Sequence, residues 1–529
     1  MKSFKKLFKS NNNHMIINDN TNKNNPLKNT LEENIKIIKK TLGESSDLVI
    51  KVFQSGKEGN VKTGIFYTEG LSDKTLIHDF ILKILMIDIN KNSLQTNISS
   101  KTDMLQILKN FVIPDGEICD ISNFENIFTH LLSGDTIIII DQHPKGYVIS
   151  SKEWKDRGVQ EASSQTVVRG PKDSFCETLR TNTALLRRRI KDTNLWIETI
   201  QIGQRTKTDV AIAYINDIAN DKIVQEVRNR LNNINIDGIL ESGYIEELIQ
   251  DETYTPFPTV NNTERPDAAA AALLEGRIVI LIDGTPFVLV VPALFVHFLH
   301  CPEDYYQRYD ISTLIRLLRL SCFLIAMLTP SIYIAITTFH HEMLPTSLLI
   351  NLAAQREGIP FPAFSEALIM EVAFEILREA GIRMPRVIGP AISIVGALVL
   401  GEAAVQAGIV SAVMVIIVSI TAISSFVIPS YNLAISVRLL RFIFMLLAAT
   451  LGIYGISIGF IALILHMCSL HSFGIPYMSP LGPSNLNDQK DTILRFPFRS
   501  MFTRPHFINP EDTIRQQRAS QAKPKPPNI

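Results

Sequence analysis

The chain has 529 residues, with 52 lysines and arginines balancing 52 aspartates and glutamates, and 46% of its residues are hydrophobic. A balanced charge gives no global electrostatic footprint for nucleic acid. The five cysteines, Cys119, Cys176, Cys301, Cys322 and Cys468, include no CxxC spacing; they support neither a zinc site nor a disulfide framework and fit a reducing compartment.

Residues 1–30 are rich in Asn and Lys and lack the apolar core of a secretory signal. They read as a disordered tail on a soluble half that is not exported. Residues 31–150 read as a first α/β subdomain: strands at 47–54 and 61–68, a helix at 73–86, a short buried strand at 135–141 and another at 147–150. A second α/β subdomain covers 151–300, with an Arg-rich helix at 173–192, strands at 195–203 and 208–215, and helices at 219–232, 242–250 and 268–274. A hydropathy window over 277–291 resembles a membrane segment. The Asp283-Gly284 dipeptide instead marks a turn between two β-branched runs, which predicts a buried hairpin.

From residue 321 onward, uncharged runs dominate: 321–339, 403–437 and 442–465, with a fourth apolar run at 387–401 ending against Glu402. A helix needs about 20 apolar residues to cross a bilayer core. The reading is an α/β two-part soluble N-terminal region followed by an all-α polytopic membrane domain, 301–470, of about four spans: 320–340, 387–407, 409–429 and 442–466. Arg308, Arg316 and Arg319 fall where lipid headgroups would lie. The tail 471–529 is basic, with Lys490, Arg495, Arg499, Arg504, Arg515, Arg518, Lys523 and Lys525 against four acids, which places it in the cytosol. An even span number then puts the N-terminus there too.

Chemistry-bearing motifs are sparse. The sequence has no phosphate-binding loop and no dinucleotide fingerprint. His340-His341-Glu342 lacks the i, i+4 histidine pair of a zinc protease, so neither a metal nor another cofactor is expected, and no residue is assigned as catalytic. The Arg187-Arg188-Arg189 run shares its helix with acids and has no interleaved aromatics, so it reads as a solvated face or subunit contact and not as a nucleic-acid site.

Within the membrane block two patterns stand out. Gly389, Ser393, Ala397 and Gly401 recur every four residues, and Gly455 with Gly459 repeats the spacing near the chain's last span, beside Ala448 and Gly452. Such small stripes let helices approach closely in lipid, within the chain or between copies. Glu402 and Gln406 share a face beside the first stripe. Glu371, Glu375 and Glu379 line one side of an amphipathic helix at 363–380, opposite Leu368, Val372 and Ile376. Repeated around a ring, these carboxylates would concentrate cations, which makes all five residues candidate ion-path groups. A plain amphipathic helix on the membrane surface accounts for the same pattern.

Several stretches together resemble the A subunit of GerA-type spore germinant receptors. They are Arg169-Gly-Pro-Lys-Asp-Ser-Phe-Cys-Glu-Thr-Leu-Arg, Glu264-Arg-Pro-Asp267, Asp283-Gly-Thr-Pro-Phe287, Phe339-His-His-Glu-Met-Leu-Pro345, Arg356-Glu-Gly-Ile-Pro-Phe-Pro362 and Phe473-Gly-Ile-Pro-Tyr477. The match covers about residues 130–510. The resemblance implies a multi-pass subunit of the spore inner membrane, non-enzymatic, working with a transporter-like B subunit and a lipoprotein C subunit. It further implies the oligomerising component of a nutrient-gated ion channel that triggers germination. A secondary transporter or a non-conducting scaffold for partners are the competing readings.

Overall fold

The computed structural model describes residues 25–55, 61–78, 118–153, 162, 164–383, 401–484, 488–508 and 510–516. The chain divides into two units, Met1–Asp156 with Thr183–Glu198, and Arg157–Asn182 with Thr199–Ile529.

In the first unit, helix α1 (Leu31–Thr41) precedes a long hairpin of β1 (Leu48–Ser55) and β2 (Val61–Thr68). Then come β3 (Ile118–Ile121), α2 (Phe124–Leu131), β4 (Thr136–Ile140) and β5 (Gly146–Ile149). The sheet is ordered β1-β2-β4-β5-β3 and its pairings are antiparallel. The Thr-Ile-Ile-Ile-Ile run of β4 lies at the centre because it is buried on both faces. Ile137 and Ile139 face Leu31, Ile38, Phe66, Phe124 and Ile127 in one core. Asp141 caps α1, its Oδ1 accepting the Leu31 N–H at 2.8 Å. The expected helix at 73–86 falls mostly outside the described residues.

Helix α3 (Leu179–Arg189) is shorter than the predicted 173–192. Cys176 therefore precedes the helix, where its N–H donates to Asn182 Oδ1 at 2.8 Å. The solvated-face reading of the arginine run fails at Arg187, which is fully buried. Its Nε and an Nη donate to the two Asp47 oxygens at 2.8 and 3.1 Å, and the same Nη reaches Ser45 Oγ at 3.1 Å. Lysine keeps the charge but cannot make this forked contact. Arg187→Lys is expected to lower unfolding stability by about 1–2 kcal/mol, measured by chemical denaturation; an unchanged midpoint would show the fork to be dispensable.

The second sheet repeats the winding of the first. It contains β6 (Leu195–Ile202), β7 (Thr208–Ile215), β8 (Asn261–Thr263), β9 (Ile278–Ile282) and β10 (Val288–Val291), ordered β6-β7-β9-β10-β8. Each sheet has a hairpin, then an edge strand, a helix and a second hairpin inserted between them. Helices α4 (Asp221–Asn232), α5 (Ser242–Ile249) and α6 (Pro266–Leu274) complete this part. The apolar run at 277–291 is an antiparallel hairpin whose strands are completely buried, with Gly284 in the turn at φ 91°.

The remaining helices are α7 (Glu303–Tyr306), α8 (Tyr309–Thr338), α9 (Thr346–Arg356), α10 (Ala363–Arg383), α11 (Gly401–Gln406), α12 (Ala412–Phe426) and α13 (Tyr431–Ser469). Of these, α8 and α13 are long and apolar enough to cross a membrane, and α12 is a shorter apolar helix. Most of the expected span 387–407 lies outside the described residues, as do Gly389, Ser393 and Ala397.

Helix α13 is not straight. Gly452 leaves helical geometry at φ 64°, ψ −140°. A straight helix would hold Ser436 and His466 about 45 Å apart. Instead Ser436 Oγ donates to the Pro256 carbonyl while His466 Nε2 lies 2.9 Å from Thr255 Oγ1. The two arms, 431–451 and 453–469, therefore fold back on each other. A Cβ added at Gly455 would stand 2.2 Å from the Leu447 carbonyl oxygen, and one at Gly459 would stand 2.7 Å from the Leu447 side chain. These glycines serve contact within the chain, and the single pass expected at 442–466 is corrected to a hairpin.

Helix α10 is corrected as well. It does not lie as an amphipathic helix with its acids facing out: Glu371 is fully buried, whereas Val372 and Ile376 are 43% and 64% exposed. The apolar side faces outward, as on a helix solvated by lipid.

The described tail is folded onto the rest of its unit. Strands β11 (His471–Ser472) and β12 (Ile475–Pro476) form a small hairpin that leads to Tyr477, buried among Phe257, Phe295 and Phe298. Arg316 and Arg319 do not reach for headgroups. Both are buried and bond Asp304, at 3.1 and 2.8 Å, and Arg316 also bonds Asp491 of the tail at 2.9 Å. Arg308 is exposed and pairs with Asp310 at 2.8 Å.

Candidate functional site

Charged side chains meet where α10, α12 and the first arm of α13 pack. Along α10, Glu371, Glu375 and Arg378 recur at spacings of four and three, which places them on one face. Arg438 and Arg441 of α13 are three apart and answer them. Arg441 donates to Glu371 at 2.5 Å and, through Nε, to the Ala326 carbonyl of α8 at 2.7 Å. Arg438 bonds Glu375 at 2.9 Å, and Arg378 stands 3.7 Å from the other Glu375 oxygen. Arg378 also donates to Ser425 Oγ at 2.7 Å and lies between the rings of Phe374 and Phe426, 4.8 Å from each centroid.

A further carboxylate, the fully buried Glu366, accepts from the Ser411 N–H at 2.5 Å and from its hydroxyl, capping α12. Glu366 meets the start of α12 and Arg378 meets its end, so α10 and α12 run side by side in the same direction. Gly408 lies beside the Gly358 carbonyl, near where α10 begins. Arg383 and Ser411 therefore lie towards opposite ends of α10.

The seam is charged but not fully bonded. Glu371 Oε1, Glu375 Oε1, Arg378 Nε, Arg438 Nε and one Arg441 Nη have no hydrogen-bond partner among the described residues. Buried charges in a helical bundle are costly, and incompletely bonded ones more so.

Of the five sequence-predicted ion-path residues, Glu371 and Glu375 join the seam, each neutralised by an arginine. Glu379 stays outside it, exposed and paired with Arg383 at 2.7 Å. Glu402 and Gln406 are exposed and bond each other at 3.2 Å on α11. The open acidic face expected of Glu371, Glu375 and Glu379 is therefore replaced by ion pairs. Gly401 lies against Val415 of α12. Sequence reading missed Glu366, Arg378, Arg438 and Arg441. A signal existed: Arg438 and Arg441 are paired intrusions between two long apolar runs, at a spacing that complements Glu371 and Glu375.

A cavity of about 920 Å³ opens where the second sheet and its helices meet the ends of α10, α12 and α13. Glu246 of α5 stands on its wall, accepting from Asn432 at 3.3 Å and Asn262 at 3.5 Å. Burial pushes its carboxyl up to about 7, partly offset by these bonds. The protonated form is thus favoured in the folded state. Its stabilising contribution is complete below about pH 4.5, the unfolded value, and is lost as pH rises through about 7. Glu246→Gln is expected to remove this loss, so that its melting temperature exceeds that of the parent chain at pH 8 and converges with it near pH 4. Parallel melting curves at every pH would show that Glu246 titrates normally.

Comparisons with known proteins agree on one family. Residues 36–507 match the family described as Bacillus/Clostridium GerA spore germination protein. Spore germination protein KA of Bacillus subtilis (strain 168) is 48% identical over 94% of this chain and 90% of its own length. Spore germination protein B1 of the same organism is 42% identical over 92% of this chain and 99% of its own. The crystal structure of the N-terminal domain of the A subunit of the Bacillus megaterium spore germinant receptor GerK3 is 43% identical, with a TM-score of 0.41, covering 51% of this chain and 98% of that one. The chain belongs to the GerA family of spore germination proteins.

Proposed function

We propose that this chain is the A subunit of a nutrient-responsive germinant receptor, a receptor subunit and not an enzyme, and that it forms the oligomeric ion-conducting part. The carrying observation is the buried charged seam of Glu371, Glu375, Arg378, Arg438 and Arg441 inside an otherwise apolar bundle. Ionisable groups at that depth are costly unless they serve a pathway or a switch. A transporter-like B subunit and a lipoprotein C subunit are the proposed partners, and the spore inner membrane the proposed location.

The membrane arrangement in this reading keeps an even number of passes, and α8, α10, α12 and the two arms of α13 are among them. An even number keeps the α/β region and the tail on one side, here the cytosol. The test is cation release from spores on nutrient addition. Glu402→Gln and Glu375→Gln remove charge at nearly constant shape from carboxylates that are not fully buried and are expected to slow release without reducing protein level or partner association. Release at the parental rate in both variants would favour a non-conducting scaffold, and saturable uptake of one nutrient would favour a transporter.

A further inference from the structure

Helix α9 (Thr346–Arg356) joins α8 to α10, and Leu352 is its one buried residue. Its place in the bundle is fixed from three sides. The turn of α13 at Gly452 lies against Phe339 and His340, which directly follow α8, whereas the open end of the same hairpin bonds Thr255 and Pro256. Helix α9 therefore stands at the end of the bundle remote from the second α/β subdomain. Leu352 belongs to the apolar core of the bundle, and Arg356 Nε is 4.0 Å from Glu366 on the first turn of α10. The helix is thus level with the end of the bundle and not beyond it.

Spacing divides α9 into three faces. Leu349, Leu352 and Arg356, at i, i+3 and i+7, are the covered ones. Ile350, Ala353 and Ala354 form an uncovered apolar face, with Ile350 62% exposed. Ser347, Asn351 and Gln355, at i, i+4 and i+8, form an exposed face that is polar but uncharged. Leu348, 45% exposed, borders the covered face. At 3.6 residues per turn the apolar and polar faces are centred about 120° apart. No charged residue occurs between Thr346 and Gln355.

The apolar exposure continues past both ends of the helix, since Met343 before it and Phe361 after it are 63% and 40% exposed. A connection between two membrane-crossing helices, held level with their ends, is bordered by the same leaflet that surrounds them. The 11 residues of α9 span about 16 Å, too short for a bilayer core of about 30 Å. An apolar face beside a polar one matches the boundary between hydrocarbon and water. A protein chain covering this whole side would also have to cover the Asn351 and Gln355 amides, which a lipid boundary leaves in water.

We propose that α9 lies in the membrane interface of the leaflet remote from the second α/β subdomain, with Ile350, Ala353 and Ala354 among the acyl chains and Ser347, Asn351 and Gln355 toward water. The contact is hydrophobic, because neither uncovered face carries a cation, and it needs no anionic headgroup. The proposal rests on the membrane-spanning reading of α8, α10 and α13.

The test replaces Trp154 and Trp196, the two tryptophans of the chain, by phenylalanine and places one tryptophan at Ile350, Asn351 or Ile461. The full-length protein is reconstituted in phosphatidylcholine nanodiscs, which leave both membrane faces open to water, and is quenched either by bromine on the acyl chains or by dissolved acrylamide. Ile350→Trp should lose fluorescence to the brominated lipid and keep it against acrylamide. Asn351→Trp should do the reverse. Ile461, 59% exposed near the middle of the second arm of α13, should be quenched by the lipid if that arm spans the bilayer. No lipid quenching of Ile461→Trp would overturn the spanning reading and this inference with it. Lipid quenching of Ile461→Trp without lipid quenching of Ile350→Trp would overturn the placement of α9 alone. In that case protection of Ile350→Trp from both quenchers would assign the apolar face to a contact between protein chains, and acrylamide quenching as strong as that of Asn351→Trp would put the whole helix in water. Equal lipid quenching at Ile350 and Asn351 would sink α9 in hydrocarbon and overturn the interfacial placement. If Ile350→Trp does not reconstitute, Ala354→Trp on the same face takes its place with the same outcomes.

Discussion

Replacing Arg441 with leucine is expected to cost about 3–5 kcal/mol of folding stability, because it strips the buried Glu371 carboxylate of its hydrogen-bonded cation. Both side chains are fully buried, so solvent cannot take over. The substitution also frees the Ala326 carbonyl, which accepts from Arg441 Nε at 2.7 Å and thereby ties α8 to α13. Leucine in place of both Arg441 and Glu371 removes the stranded charge, and the double variant should recover most of the loss. Detergent-solubilised protein followed by thermal unfolding measures all three. The cycle separates two roles for the pair. Recovery in the double variant together with normal cation release would make the pair a packing device. Recovery of stability with release still impaired would assign the pair to function. A wild-type melting temperature in the Arg441→Leu variant would contradict the buried pairing itself.

Strands β1, β2, β4, β5, β6 and β7 and the β9–β10 hairpin were legible in the sequence to within a few residues because their signals are local, whereas α1, β3, α2 and β8 were not read. A run such as Thr-Ile-Ile-Ile-Ile can only be a central strand, and Asp283-Gly284 between two β-branched runs can only turn. What could not be read there was long-range pairing: Arg187 looks like surface charge until the fold sets beside it Asp47, which directly precedes β1 and lies 140 positions earlier. The helical half misled for a different reason. Hydropathy rewards uncharged runs, so it passed over α10, whose Glu371, Glu375 and Glu379 look like a surface face. Glu371 and Glu375 are tolerable inside because Arg438 and Arg441 arrive from a helix some sixty to seventy positions later. The same bias began the last span after Arg441, although α13 starts at Tyr431. The charges that excluded residues from the predicted membrane block are those that hold its helices together.

Gly455→Leu should open the α13 hairpin. At this position even a methyl group would meet the Leu447 carbonyl oxygen at 2.2 Å and its carbon at 2.8 Å, and neither backbone atom can rotate away. Overpacking a close contact usually costs about 1–3 kcal/mol, and a backbone obstacle puts this site at the upper end. The turn cannot relieve the clash by shifting along the helix. Gly452 alone adopts the positive φ, and its own neighbours, His340 and Phe339, stand 2.7 and 3.1 Å from where a Cβ would be. The arms must therefore separate, and the separation can be read directly. In a chain lacking its native cysteines, Leu447→Cys with Gly459→Cys should form an intrachain disulfide on mild oxidation, because the two positions touch across the hairpin. In a straight helix they would lie about 18 Å apart, beyond the reach of any disulfide. Adding Gly455→Leu should suppress that cross-link and lower the melting temperature together. A cross-link that forms equally well with and without the leucine would show that the arms tolerate the bulk, and no cross-link in either chain would return α13 to a single straight pass.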